Sequence, residues 1–169
     1  MEENTYKPIT GVSNLRLGDK FEMNKPYSIS KDKLWLIVEP EQKFFDFDVR
    51  IHITPITQLI YCINMTKVFD IKSKSLCIDI FERTYGFKME LDESDGSFDM
   101  RKDGNMIKIY ETDEIWTQGL KYNLDGDRHR ILNVLFESQK YSNLYIKEVE
   151  ECKKQQLNEE LNHIDTSML

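Results

Sequence analysis

The sequence predicts an α+β domain: a mainly antiparallel sheet with one mid-chain helix and one C-terminal helix packed on it. Three observations carry that expectation. Residues 45–53 alternate apolar and polar side chains with period two, and a second apolar run follows too soon for a crossover helix. Asp95-Gly96, Asp103-Gly104 and Asp125-Gly126 separate short strand-like runs, and Asp-Gly pairs tolerate the positive φ of hairpin turns. One segment, 70–85, instead repeats apolar residues every three or four positions, and a second, 142–161, carries a thin apolar stripe. A length of 169 residues suits one domain, expected over 1–161, with 162–169 a frayed tail.

The elements follow in order. Gly11 to Gly18 brackets a short apolar piece around Leu15 and Leu17, a strand or a docking turn. Leu34-Trp35-Leu36-Ile37-Val38 is a short buried strand stopped by Pro40, because proline cannot donate to a ladder. Next, Phe45, Phe47, Val49, Ile51 and Ile53 define one buried face, with Asp46, Asp48, Arg50 and His52 on a wet one. In the run 58–65, Leu59, Tyr61, Ile63 and Met65 lie on one side, with Ile60 and Cys62 on the other. Being apolar on both faces, that strand is expected in the middle of the sheet. Asp70 caps the first helix, Gly86 stops it, and Cys77, Ile80, Phe81 and Tyr85 form its buried stripe with Leu76 at the edge; Lys72, Lys74, Glu82 and Arg83 face water. Strands are expected at 87–91, 97–102, 105–110, 115–124 and 130–136. In the last helix Tyr145, Val149, Cys152 and Leu157 make a thin stripe, and acids including Glu148, Glu150 and Glu151 are solvated with Lys153 and Lys154.

The chemistry-bearing motifs are sparse. There is no CxxC or HExxH, and His52, His129 and His163 are far apart, so a zinc site is not expected. The acidic stretch 92–99 lacks the closing bidentate glutamate of a calcium loop. Neither GxGxxG nor GxxxxGK[ST] occurs. Cys62, Cys77 and Cys152 are odd in number and sit in apolar patterns, as reduced core thiols of a cytoplasmic protein do. Asp46, Asp48 and His52, or His129 beside Arg128 and Arg130, are the residues a small hydrolase or transferase would use. No window approaches a membrane span, and the opening Met1-Glu2-Glu3-Asn4 has neither a basic leader nor an apolar core. No cofactor is implied.

Charge is the informative property. Against 23 Lys+Arg stand 30 Asp+Glu, a net charge of −7, which disfavours a polyanionic nucleic acid and favours a basic protein partner. Glu90, Asp92, Glu93, Asp95 and Asp99 surround one hairpin, Asp103 the next turn, and Glu111, Asp113 and Glu114 a third. The turns are expected to bring these acids to one end of the sheet. Phe98, Trp116 and Tyr122 lie close by in sequence as aromatic anchors for an interface. The chain contains no alanine and its cations are mostly lysine, a bias of A+T-rich coding that points to a bacterial or phage source.

A small, acidic, cofactor-free α+β chain of this kind resembles the immunity proteins that bacteria make against their own secreted toxins. The Gly11-Val12-Ser13-Asn14-Leu15-Arg16-Leu17-Gly18 opening, and the strand 131–136 leading into the acidic helix 144–151, are also similar to small bacterial α+β proteins with a Gly-x-x-x-Leu-x-Leu-Gly turn. The resemblance implies a non-enzymatic inhibitor that occludes the basic active site of a toxin, for which a nuclease would be suited. It carries over no functional residue, because immunity proteins share no common fold. The other class to weigh, besides an enzyme, is a phage or assembly scaffold subunit.

Overall fold

The computed structural model describes residues 6–21, 35–113 and 130–169. Its architecture is α+β, as the periodicities predict. A two-stranded hairpin, β1 (Gly11–Val12) and β2 (Leu15–Arg16), precedes a seven-stranded antiparallel sheet. That sheet contains β3 (Trp35–Val38), β4 (Asp48–Ile53), β5 (Ile60–Val68), β6 (Glu90–Asp92), β7 (Ser97–Lys102), β8 (Asn105–Thr112) and β9 (Ile131–Ser138), in the order β3-β4-β5-β9-β8-β7-β6. Helix α1 (Ile71–Tyr85) connects β5 to β6, and α2 (Gln139–His163) follows β9 directly. The run expected as a strand at 115–124 and the pair Asp125-Gly126 lie outside the described residues.

Register explains the core. One cross-strand row runs Leu36, Ile51, Ile63, Phe136, Ile107, Met100, and the next runs Val38, Val49, Met65, Val134, Ile109, Phe98. These side chains share one face, and α1 lies over it with Cys77, Phe81 and Tyr85 buried. The Phe81 ring meets Phe136 edge-on at 5.8 Å and stacks on Phe44 at 5.6 Å. The helix begins and ends where its sequence says. Asp70 accepts from the Ser73 amide at 2.7 Å, and Gly86 closes the helix at φ 82. A Cβ on Gly86 would also fall 2.5 Å from the Tyr6 ring, so both conformation and space call for glycine there.

Several expectations change. The strand anticipated from Phe45 begins at Asp48, because Phe45 sits at φ 50 in a turn that folds Phe44, Phe45 and Phe47 into one aromatic cluster. A bulge opposite His52 and Ile53 inserts an extra residue into β5. Ile60 therefore joins Ile63 in the core, whereas Tyr61 packs beside His52 and Tyr145, the reverse of simple alternation. The supposedly wet face of β4 is covered at its middle, with Arg50 buried and Asp48 and His52 half-buried. On α1, Ile80 is only half-buried, while Lys74 turns toward the sheet and bonds Glu111 at 2.8 Å.

The last helix departs most from expectation. It starts at Gln139, three residues early, because the Ser138 hydroxyl caps it, and it runs to His163. Beyond it, Asp165 caps a short 3-10 turn at Thr166–Met168 in the stretch expected to fray. Glu148, expected in water, is the one buried residue of α2. Its carboxylate accepts from the Ile56 amide (2.7 Å), the Thr57 amide (2.8 Å) and the Thr57 hydroxyl (2.7 Å). The Thr54–Thr57 turn and α2 are thus latched by a charged acceptor. Leu157, assigned to the packed stripe, is 55% exposed.

Candidate functional site

The acidic residues sit on and around the β6–β7–β8 edge of the sheet. Short β6 is the terminal strand, and Glu90, Leu91 and Asp92 are all exposed. The turn after it is built by its own acids. Asp92 accepts from the Ser94 amide and hydroxyl, and Asp95 from those of Ser97 at 2.9 and 2.6 Å. The bonds from Ser97, followed by Lys108 at 3.4 Å, hold the Asp95 carboxyl below its ordinary range.

The other acids divide by position. Antiparallel strands place the 93–96 turn and Asp113 toward one end of the sheet and the Asp103-Gly104 turn at the opposite end, about 20 Å away along β7. The acids are therefore not gathered at a single end, because successive hairpin turns of a meander alternate ends. Glu111 is half-buried and neutralised by Lys74 at 2.8 Å and Arg130 at 3.6 Å, and Arg130 also reaches Asp113 at 3.4 Å. Glu90, Glu93, Asp99 and Asp103 have no ion pair among the described residues. Glu114 and Trp116, together with Tyr122, lie outside those residues. Phe98 is half-buried, with the Lys74 ammonium 5.3 Å from its ring centroid, so it supports the core and is not an open anchor.

One feature of this edge was invisible without register. Glu90 stands directly across from Asp99, on the face opposite the apolar core. Like charges at facing positions repel, so this pairing is unfavourable in the isolated chain. The next residue in the same cross-strand row is Lys108, but its ammonium bonds Asp95 and lies 5.6 Å from the Tyr110 ring centroid.

The alternative catalytic residues do not converge. Asp46 is exposed in the turn before β4, and Asp48 and His52 are four residues apart on one strand, about 13 Å and too far for direct proton transfer. His129 lies outside the described residues. A different row does bring His52, Cys62 and Glu137 side by side across β4, β5 and β9. Burial, reinforced by the Glu137 charge, pushes the Cys62 thiol well up, which opposes a thiolate nucleophile. Burial likewise raises the Tyr61 phenol, with the adjacent Tyr145 adding to the effect. The Cys77 thiol is pushed up to about 11 by burial, partly offset by Lys67. Among the described residues no group of three His, Cys, Asp or Glu side chains is placed to hold a metal, and no helix is long and apolar enough to cross a membrane.

No protein-family model, curated protein or solved structure matches the chain.

Proposed function

We propose that the chain is a non-enzymatic protein-binding module, an immunity-type inhibitor that neutralises a bacterial toxin by covering its basic active site. The observation that carries the reading is the Glu90–Asp99 opposition on an exposed edge strand, with Glu93 beside it and no ion pair for any of the three among the described residues. An arginine or lysine of a partner set between the two carboxylates turns a repulsion into a pair of charge-assisted hydrogen bonds. The net charge of −7 adds long-range attraction, which raises association rates more than it slows dissociation. A toxin that handles phosphates presents the cations such an edge needs, and a nuclease is the natural case. The protein would act in the cytoplasm of the producing cell.

The test uses the product of the gene adjacent to this chain's own as the probe. Expressed alone it should arrest growth, and co-expression of this chain should restore it. Reversing Glu90, Glu93 and Asp99 to lysine should slow association with that product at least about tenfold at low salt and flatten its salt dependence. Asp92 and Asp95 are left intact because they build the turn. An unchanged low-salt association rate contradicts the reading.

A further inference from the structure

The distal half of α2 extends beyond what the sheet covers. From residue 150 to 163 every residue except Cys152 is exposed. A helical stretch of this length is marginal in water unless one side of it is covered. The exposed part is nonetheless patterned. At 100° per residue, Ile146, Leu157, Leu161 and Ile164 fall within roughly 60° of one another, on the side of α2 away from Tyr141, Tyr145 and Glu148, which face the body. All four are more than half exposed. The same stripe holds two opposite charges, Glu150 and Lys153, one turn apart.

We propose that this stripe is a self-association surface, on which the α2 of a second copy of this chain lies antiparallel about a two-fold axis between Glu150 and Lys153. The assignment rests on complementarity within the single sequence. An axis at that point sets Glu150 against Lys153 of the second copy, twice by symmetry, and Ile146 against its Leu157, also twice. The same register carries Leu161 and Ile164 of the second copy to the level of Ser142 and Gln139. There the body offers a groove of about 570 Å³ between α2 and the β7–β8 turn, lined by Arg101, Asn105, Met106, Glu137, Asn143 and Ile146. The groove wall is fixed, because the Gln139 amide donates to the Gly104 carbonyl at 2.9 Å. Apolar contacts at both ends of the overlap and ion pairs at its middle leave no like charges facing across the axis. A shift of the axis by about one turn toward the C-terminus instead opposes Glu150 to Glu160.

Sedimentation of the full chain tests this through a charge swap. The wild type should sediment as a concentration-dependent mixture of 20.1 kDa and twice that mass. Either E150K or K153E should weaken the dimer about tenfold by placing like charges across the axis, and E150K/K153E together should restore it. L157E should abolish it. All three positions are exposed, and an unchanged circular dichroism melt of the dilute variants confirms that the fold is intact. A wild type that remains at 20.1 kDa at every loading concentration overturns the proposal and leaves the stripe to a different protein. A double swap that fails to restore the dimer overturns the antiparallel register.

Discussion

The two helices are attached by opposite physics. Helix α1 has 15 residues and buries Cys77, Phe81 and Tyr85 over the centre of the sheet, so dispersion and the hydrophobic effect hold it. Helix α2 has 25 residues and buries only a glutamate. Its first turns are fixed by polar and aromatic contacts: the Glu148 latch, the Tyr61–Tyr145 stack at 4.6 Å, and Tyr141 against Gly18, where a Cβ would fall 2.6 Å from the ring. The contrast separates a helix that makes the core from one that the core displays. A displayed helix is free to spend its apolar residues on another molecule.

The largest expected effect breaks the first attachment. Phe81→Ala removes a ring wedged between Phe136 and Phe44 and should cost about 3–5 kcal/mol in urea unfolding. Next is the second attachment. Glu148→Ala strands the Ile56 and Thr57 amides and should cost about 2–3 kcal/mol, whereas Glu148→Gln, which keeps one acceptor, should lose less than half of that. If Glu148→Ala unfolds at the wild-type urea midpoint, the latch does not hold α2.

Acid sharpens the comparison through the cap of α1. Bonds from the Ser73 hydroxyl and amide, ahead of those from Lys67, hold the Asp70 carboxyl down at about 2, against 3.8 for a free one. A lowered folded-state value means that its contribution is present above about pH 4 and is lost as pH falls from there through about 2. Asp70→Asn should remove that part of the acid sensitivity in denaturation curves recorded between these limits. At the small end, Leu157→Glu should change the stability of the monomer by less than about 0.5 kcal/mol. In native protein Cys152 should alkylate at neutral pH well before Cys62 or Cys77, which are buried and whose thiols are pushed up.

What could be read from the chain alone follows the same division. Asp70, Gly86 and the spacing of Cys77, Phe81 and Tyr85 located α1 to the residue, because capping and periodicity are local. The Asp-Gly turns at 95–96 and 103–104 separated β6, β7 and β8 for the same reason, with Asp103 at φ 52 and Gly104 at φ 82. The β5 bulge was hidden, since Gln58 to Met65 reads equally well as unbroken alternation and the extra residue shows only against β4. Glu148 reads as a solvated acid because its partners lie more than 90 positions earlier, in a Thr-Pro-Ile-Thr turn with no signature of an anion-binding donor set. The acids of the candidate site were visible as a composition. Their division between the two ends, their neutralisation by Lys74, Lys108 and Arg130, and the Glu90–Asp99 opposition depend on register.

Residue-resolved amide hydrogen exchange tests the contrast between the helices most directly. Amides of α1 around Cys77 and Phe81 should exchange only by global unfolding, at every protein concentration. Those of α2 beyond Cys152 should exchange orders of magnitude faster in dilute solution and gain protection as concentration rises and the second copy covers them. Uniform, concentration-independent protection along the whole of α2, equal to that of α1, would contradict the account.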